Sequence, residues 1–524
     1  MPFESSIRVS MMTAAMNRYN AAHDLIERNL NAGRESKVAY IDDTQRCTFG
    51  DLAARVRRFA TALRDHGVVP EQRVLLCLED SVDFPVAFLG AIWAGIVPVP
   101  VNTLLAASDY AQMIGHSRAR IVFVSPSRHD VIRSIAPPDL PIVVVDGDGL
   151  SHFIGSSQPM PTAYDSCASD ICFWLYSSGS TGEPKGVVHL HQSLICTAER
   201  YAQAVLGLRE HDIVYSASKL FFAYGLGNAL TFPLSVGATT ILTSQRVTPE
   251  VAFTQLTRHA ATVFCAVPTL FANMLAWQST HATADHLAVR ICVSAGEALP
   301  REIGERWTAR YGSEILDGIG STEMLHIFLS NRPGAVRYGT TGRAVPGYEL
   351  RLLGEDGGEA ADGQLGDLYV KGPSSAVMYW GDRDRSCATF QGEWTRTGDK
   401  FLRDEHGNYV YGGRSDDMLK VAGLYVSPFE VESALVAHPE VLEAAVVGTP
   451  DAAGLIKPRA FVVLRSPCPA GEVDSLREAI RSHVRARLAH YKCPQSLEFV
   501  TELPKTATGK VQRFRLRRAH EQGV

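Results

Sequence analysis

Residues 176–186 read YSSGSTGEPKG, three glycines and four serines and threonines around Lys185, directly after the apolar run ICFWL. A loop of that kind at the end of a strand can turn its backbone amides toward an anion, because glycine permits close approach and unusual dihedrals. Ser177, Ser178, Ser180 and Thr181 add donors, Gly179 and Gly182 add freedom, and Lys185 adds charge. Phosphate is the ligand such a nest suits. It is not a Walker loop, since proline and not glycine precedes Lys185. Nor does the chain carry Gly-x-Gly-x-x-Gly beside a strand, Gly-x-Ser-x-Gly or His-Glu-x-x-His. In isolation the stretch reads equally as a flexible surface loop.

Four further stretches carry chemistry: DGIGSTEML (317–325), WTRTGD (394–399), GRSDDMLKVAG (413–423) and PKTATGK (504–510). Taken alone, Glu323 is a solvated acid, Asp399 a turn-forming aspartate after glycine, and Lys510 a solvent-facing lysine. Together, in this order and over essentially the full length, the five stretches resemble the acyl-adenylate-forming superfamily of acyl-CoA synthetases, adenylation domains and luciferases. Within it, KLFFAYGLGNALTFP (219–233) and GSTEMLHIFLSN (320–331) are similar to the benzoate-type aryl-CoA ligases.

The resemblance implies a two-step reaction. A carboxylate attacks the α-phosphate of ATP, giving acyl-AMP and pyrophosphate; a thiol then attacks the mixed anhydride. The carboxylate is already nucleophilic, so the protein must align reactants and stabilise phosphoryl charge. By resemblance, the 177–185 loop cradles the β- and γ-phosphates, Thr322 contacts the α-phosphate and Glu323 ligates Mg²⁺, for which a carboxylate is the right hard donor. Gly296, Glu297 and Asp317 fall where the family builds its adenine pocket, and Asp399 and Arg414 take the ribose. Lys510 is the adenylation lysine, a point charge able to bridge the attacking carboxylate and the α-phosphate. Asp416 is the hinge about which a mobile C-terminal domain turns after adenylation. Lys420 and Gly423 lie on the face then presented, Gly423 leaving room for the pantetheine arm. Lys457 and Arg459 are weaker candidates for CoA phosphates, since such residues are more often solvated.

For the acid, the resemblance points to Phe222, Ala223, Tyr224, Gly320, His326 and Ile327: aromatic and apolar walls, a glycine floor and one imidazole, suited to a planar ring. Phe222 is also placed to gate the thiol tunnel. Residues 219–234 contain no acid. A site for an α-amino acid would want one, because an unpaired buried ammonium is costly. His326 reads either as a donor to the substrate carboxylate or a ring hydroxyl, or as a satisfied core histidine; its spacing of three from Glu323 puts both on one face if the segment is helical.

The elements that must position these residues follow from patterning. Short β-branched runs at 73–79, 120–125, 141–147, 239–244, 262–268 and 290–296 alternate with helical stretches such as 49–66 and 249–259, the signature of layered α/β with largely parallel sheets. From residue 348 the pattern changes to short strands with Gly-rich turns, a small β subdomain. After 413–417 it changes again to a compact α+β rhythm, with a helix from 427 opened by Ser-Pro, two strands, and a second helix over 473–488. The reading is an α/β N-terminal adenylation domain (1–415) that holds the ATP and acid sites, and a smaller α+β C-terminal domain (416–524).

The 524 residues are 46% apolar and 20% charged with net charge −5, ordinary globular values that exclude a nucleic-acid binder held by bulk charge. Ten cysteines include no Cys-x-x-Cys, so free thiols in a reducing cytoplasm are expected. The N-terminal stretch, with Glu4 and no apolar core, reads as no signal peptide, and Met11, Met12 and Met16 are alternative starts. Residues 84–108 carry no charge, but Pro98 and Pro100 interrupt them, so a buried helix near 84–95 followed by an edge or irregular extended segment is expected and not a membrane span. The expected substrates are ATP, CoA and a small aromatic carboxylic acid, with Mg²⁺. A homodimer is compatible with this, and a lysine acetyltransferase acting on Lys510 would switch adenylation off. Two other readings stay open: a stand-alone aryl-acid adenylating enzyme loading a carrier protein, and a catalytically silent adenylate-binding protein.

Overall fold

The computed structural model describes residues 18–147, 149–178, 184–278, 286–421, 424–450, 456–469, 471–505 and 511–521. Among them, the strands Glu314–Gly320, Ile291–Ser294, Val263–Ala266, Ile213–Ser216, Thr239–Ile241 and Val38–Ile41 lie side by side in that order, all parallel. Antiparallel strands close both ends: Ile327–Ser330 and Arg343–Ala344 at one, Arg46–Thr48 at the other. A second, all-parallel sheet runs Val97–Pro100, Arg73–Cys77, Ile121–Val124, Ile142–Val144. The six β-branched runs read from the sequence are thus six of the parallel strands of two α/β layers, with Val38–Ile41, Val97–Pro100, Ile213–Ser216 and Glu314–Gly320 added by the structure.

The uncharged stretch opens within the helix Asp83–Trp93, every residue of which is buried. It packs on the helix Phe49–Asp65, which opens with a capping box between Thr48 and Asp51. Gly90 permits the contact: a β-carbon there would fall 2.6 Å from Phe59 Cδ1 and 3.0 Å from the Val56 carbonyl. Burial of Phe59, Phe84, Phe88 and Trp93 in this layer stabilises the fold by about 1.5–3 kcal/mol per side chain. The next segment, Val97–Pro100, pairs only with Arg73–Cys77, so its prolines sit on an edge strand where they remove no central ladder bond. No helix among the described residues is long and apolar enough to cross a membrane.

An antiparallel sheet follows, built from Glu349–Leu353, Gly366–Lys371, Trp394–Arg403, Phe390–Gln391 and Tyr409–Arg414. The chain then enters a separate α+β unit: the hairpin Leu419–Val421/Leu424–Val426, the helix Pro428–Val436, the strands Val441–Pro450, Ile456–Leu464 and Ser496–Phe499, and the helix Val473–Arg485. Ser427 caps the first helix by accepting from Glu430 N at 3.1 Å, with Pro428 at its first position. The Phe429 ring meets Tyr411 edge-on, 5.4 Å between centroids.

Candidate functional site

The described ends of the phosphate-loop stretch lie on the two arms of an antiparallel hairpin. Ile171–Ser178 pairs with Pro184–Leu190, and Ser177 stands opposite Lys185. Gly179, Ser180, Thr181 and Gly182 lie outside the described residues. Tyr176, on the first arm, shares a 2.8 Å hydrogen bond with His116 Nδ1, and His116 Nε2 donates to the Trp380 carbonyl at 3.0 Å. The Lys185 ammonium lies 5.2 Å from the centroid of the Tyr379 ring.

Thr322 and Glu323 sit on the turn between the antiparallel strands Glu314–Gly320 and Ile327–Ser330. The segment is not helical, so the shared helical face expected for Glu323 and His326 does not exist. Leu325 instead takes φ 65°, and the turn reverses the chain within a few residues. Gly320 is required by its close approach to the returning chain: a β-carbon would fall 2.5 Å from the His326 carbonyl oxygen. Backbone contacts hold the turn from outside. His189 Nε2 donates to Thr322 O (2.7 Å), Ala376 N to Glu323 O (2.7 Å) and Ser374 Oγ to Met324 O (2.8 Å). Burial pushes His189 down to about 4, which keeps it neutral with its proton on Nε2. The Tyr379 hydroxyl donates to Glu323 Oε1 at 2.8 Å.

Asp317 and Gly296 lie at or just beyond the C-terminal ends of neighbouring parallel strands, the edge where open α/β sheets take ligands. Gly296 has φ 93°. Asp317 accepts from Leu299 N at 3.3 Å, and burial pushes its carboxyl well above the usual range. Glu297 accepts from Thr269 Oγ1 at 3.1 Å. Asp399 and Arg414 face each other across Trp394–Arg403 and Tyr409–Arg414, with Arg414 Nη1 donating to Asp399 Oδ1 at 3.0 Å. Asp399 therefore belongs to a strand and not to a turn. Its carboxylate raises the Arg414 guanidinium above its usual value, and a more distant contribution of the same sign comes from Glu323.

Phe222 precedes the short helix Ala223–Leu226, which runs into the π-helical turn Gly227–Thr231. Tyr224 donates to the Val293 carbonyl at 3.0 Å. His326 is enclosed by Phe232, Tyr201 and Tyr224, at 4.4, 5.5 and 5.6 Å between ring centroids, while Ile327 is buried beneath Gly318. His326 Nε2 donates to Tyr224 O at 3.3 Å, and burial pushes the ring down to about 3. With Nε2 engaged on the Tyr224 carbonyl, Nδ1, without a partner among the described residues, is the ring nitrogen left to accept.

Asp416 follows the strand Tyr409–Arg414, and its neighbour Asp417 faces Arg513 and Arg517 at 3.7 and 3.5 Å. Lys420 lies on the strand Leu419–Val421, Arg459 pairs with Glu498 at 2.7 Å, and Gly423 and Lys510 lie outside the described residues. Motif reading missed Tyr379, His189, His116 and Asp80. None stands in a motif. Asp80 is buried, accepts from Leu220 N at 3.0 Å and faces Lys219 at 3.9 Å; burial pushes it up to about 6. The acid-free run 219–234 thus has a carboxylate beside it, brought from another element and already facing a lysine.

Residues 26–380 match the AMP-binding enzyme family, and residues 430–510 match the AMP-binding enzyme C-terminal domain. The chain belongs to the AMP-binding enzymes. A relative from Thauera aromatica, a benzoate–CoA ligase, is 55% identical over 513 residues, 96% of each chain. A 4-hydroxybenzoate–CoA/benzoate–CoA ligase of Rhodopseudomonas palustris is 46% identical, covering 95% of this chain and 94% of the relative. The crystal structure of a benzoate CoA ligase from Burkholderia xenovorans LB400 superposes with a TM-score of 0.90 at 55% identity, over 95% of this AMP-binding enzyme and all of that chain.

Proposed function

We propose that this AMP-binding enzyme is an ATP-dependent aryl-CoA ligase. An aromatic carboxylate and ATP give an enzyme-bound aroyl-adenylate and pyrophosphate; the CoA thiol then displaces AMP, giving aroyl-CoA and releasing the thiol proton. The observation that carries the reading is end-to-end likeness to benzoate–CoA ligases; Tyr224 and His326, whose rings lie 5.6 Å apart, are two of the residues assigned to the acid site.

The hairpin with Lys185 holds the β- and γ-phosphates, and Thr322 meets the α-phosphate. Gly296, Glu297 and Asp317 receive the adenine, Asp399 and Arg414 the ribose. Glu323 fits a Mg²⁺ site: its carboxylate is a hard oxygen donor whose Oε1 is already fixed by Tyr379, and Mg²⁺ is commonly held by one or two carboxylates with substrate phosphates and water. When bound, Mg²⁺ supplies charge compensation for the triphosphate. Lys510 aligns the acid with the α-phosphate. We place the domain boundary at Asp416, about which the C-terminal domain turns to exchange Lys510 for Lys420 and Gly423. A homodimer, a cytoplasmic location and control by acetylation of Lys510 complete the proposal.

Pyrophosphate release with Mg·ATP across benzoates, cyclic acids and fatty acids, with and without CoA, tests the reading. Release with benzoates and a thioester only with CoA is expected. Release with no thioester transfers the function to carrier loading. Silence across the panel rejects it.

A further inference from the structure

Residues 376–380 strap the two phosphate-handling parts together. On one side, Val377 N donates to Val188 O (3.0 Å) and Trp380 N to Gly186 O (2.8 Å), so the strap is a third strand on the phosphate hairpin. On the other, Ala376 N donates to Glu323 O (2.7 Å). Tyr379 is the strap's side chain that reaches both parts. It is 4% exposed; its hydroxyl donates to Glu323 Oε1 at 2.8 Å, and its ring face carries the Lys185 ammonium at 5.2 Å. The strap is itself fixed: Tyr379 N donates to Ser386 Oγ at 2.9 Å, His116 holds the Trp380 carbonyl, and Phe390 packs on the Tyr379 ring at 5.3 Å.

We propose that Tyr379 is a positioning residue for adenylation, its hydroxyl orienting the Glu323 carboxylate for a divalent cation and its ring holding the Lys185 ammonium in register with the phosphate hairpin. This rests on the reading of Glu323 and Lys185 given above. A glutamate on a turn has several rotamers of similar energy. A hydrogen bond from a rigid, packed phenol selects one, occupies Oε1 and leaves Oε2 for a cation, as outer partners of metal ligands do. The ring face attracts the ammonium without bringing a counter-charge to it, which leaves phosphate as the anion for Lys185 to meet.

The two parts of the role separate by substitution. Tyr379→Phe keeps the ring and loses the hydroxyl; Tyr379→Leu loses both. With enzyme and ATP but no acid, Mn²⁺ affinity followed by electron paramagnetic resonance should fall about tenfold in Tyr379→Phe, and the Mg²⁺ concentration for half-maximal pyrophosphate release should rise by about the same factor. The KM for ATP at saturating Mg²⁺, the melting temperature, and thioester formation from supplied benzoyl-AMP should not change. Tyr379→Leu should in addition raise the KM for ATP. Unchanged Mn²⁺ and Mg²⁺ constants in Tyr379→Phe, or equal loss of both half-reactions, would overturn the proposal. Glu323→Gln, measured alongside, separates the failures. If it shifts the Mg²⁺ constant and Tyr379→Phe does not, only the role of Tyr379 is lost; if it shifts nothing, the reading of Glu323 falls as well.

Discussion

His326 gives its Nε2 proton to the backbone carbonyl of Tyr224 at 3.3 Å, so two residues proposed to receive the acid are bonded to each other. The remaining ring nitrogen, Nδ1, is an acceptor. A ring hydroxyl that donates to it would gain roughly 1 kcal/mol, and the gain should vanish in His326→Phe. The ratio of kcat/KM for hydroxybenzoates to that for benzoate is therefore expected to fall about five- to tenfold in this variant. An unchanged ratio would show that Nδ1 does not face the ring substituents.

Burial also fixes how stability depends on acid. His189, His191 and His326 are pushed down to about 4, 4 and 3, against an unfolded value near 6.5. Below 6.5 the unfolded chain takes up protons that the folded chain refuses, so stability falls as pH falls, by at most about 1.4 kcal/mol per pH unit for each histidine. The buried carboxyls of Asp80, raised to about 6, and of Asp83 and Asp317, also raised, work in the opposite sense: the stability they contribute is lost as pH rises from the unfolded value through the folded one. The histidine contribution between about pH 6.5 and 5 is a decline, measurable in the urea midpoint by comparison with a variant that lacks one of the histidines. His191→Asn should make the decline shallower, provided the variant folds.

Much of this was legible beforehand because the reaction leaves its residues in short contiguous stretches. GSTE and YSSGSTGEPKG are read as units, and the parallel strands announce themselves as β-branched runs. What was not legible depends on pairing between distant segments. Tyr379 lies over fifty residues from Glu323, and its role follows from a strand register that no local pattern encodes. Asp80 reaches Leu220 across 140 residues. The spacing of Glu323 and His326 suggested a helix, but Gly320 and the positive φ of Leu325 make a tight turn there. The π-helical turn Gly227–Thr231 likewise has no signature in a 3.6-residue period.

Gly320 gives a sharp steric prediction. A methyl group there meets the His326 carbonyl carbon and oxygen at 2.6 and 2.5 Å, backbone atoms that cannot swing aside. Gly320→Ala should cost about 1–3 kcal/mol, lower the melting temperature and displace His326 from the pocket. The KM for benzoate should rise more than the KM for ATP. A variant with wild-type melting and wild-type KM for benzoate would show that the turn yields more easily than its contacts indicate.

The two half-reactions should come apart at Lys510 and fall together at Asp399. On the proposed role of Lys510, Lys510→Ala removes a charge needed only while the carboxylate attacks phosphorus, so pyrophosphate release should drop about 100-fold or more while supplied benzoyl-AMP is still converted to thioester. Asp399→Asn keeps the shape of the proposed ribose site but removes the anion that Arg414 faces at 3.0 Å, breaking an ion pair whose carboxylate is buried while its guanidinium is half exposed. Hydrogen bonds to charged groups contribute about 1.5–3 kcal/mol, so the KM for ATP should rise roughly 10- to 100-fold. The affinity for benzoyl-AMP, which carries the same ribose, should weaken in parallel. Single-turnover measurement of each half-reaction decides the matter. Loss confined to adenylation in Lys510→Ala, with loss in both half-reactions in Asp399→Asn, is the pattern that two alternating uses of one nucleotide site demand. Equal loss in both half-reactions for both variants would mean that a single arrangement of the domains serves the whole cycle.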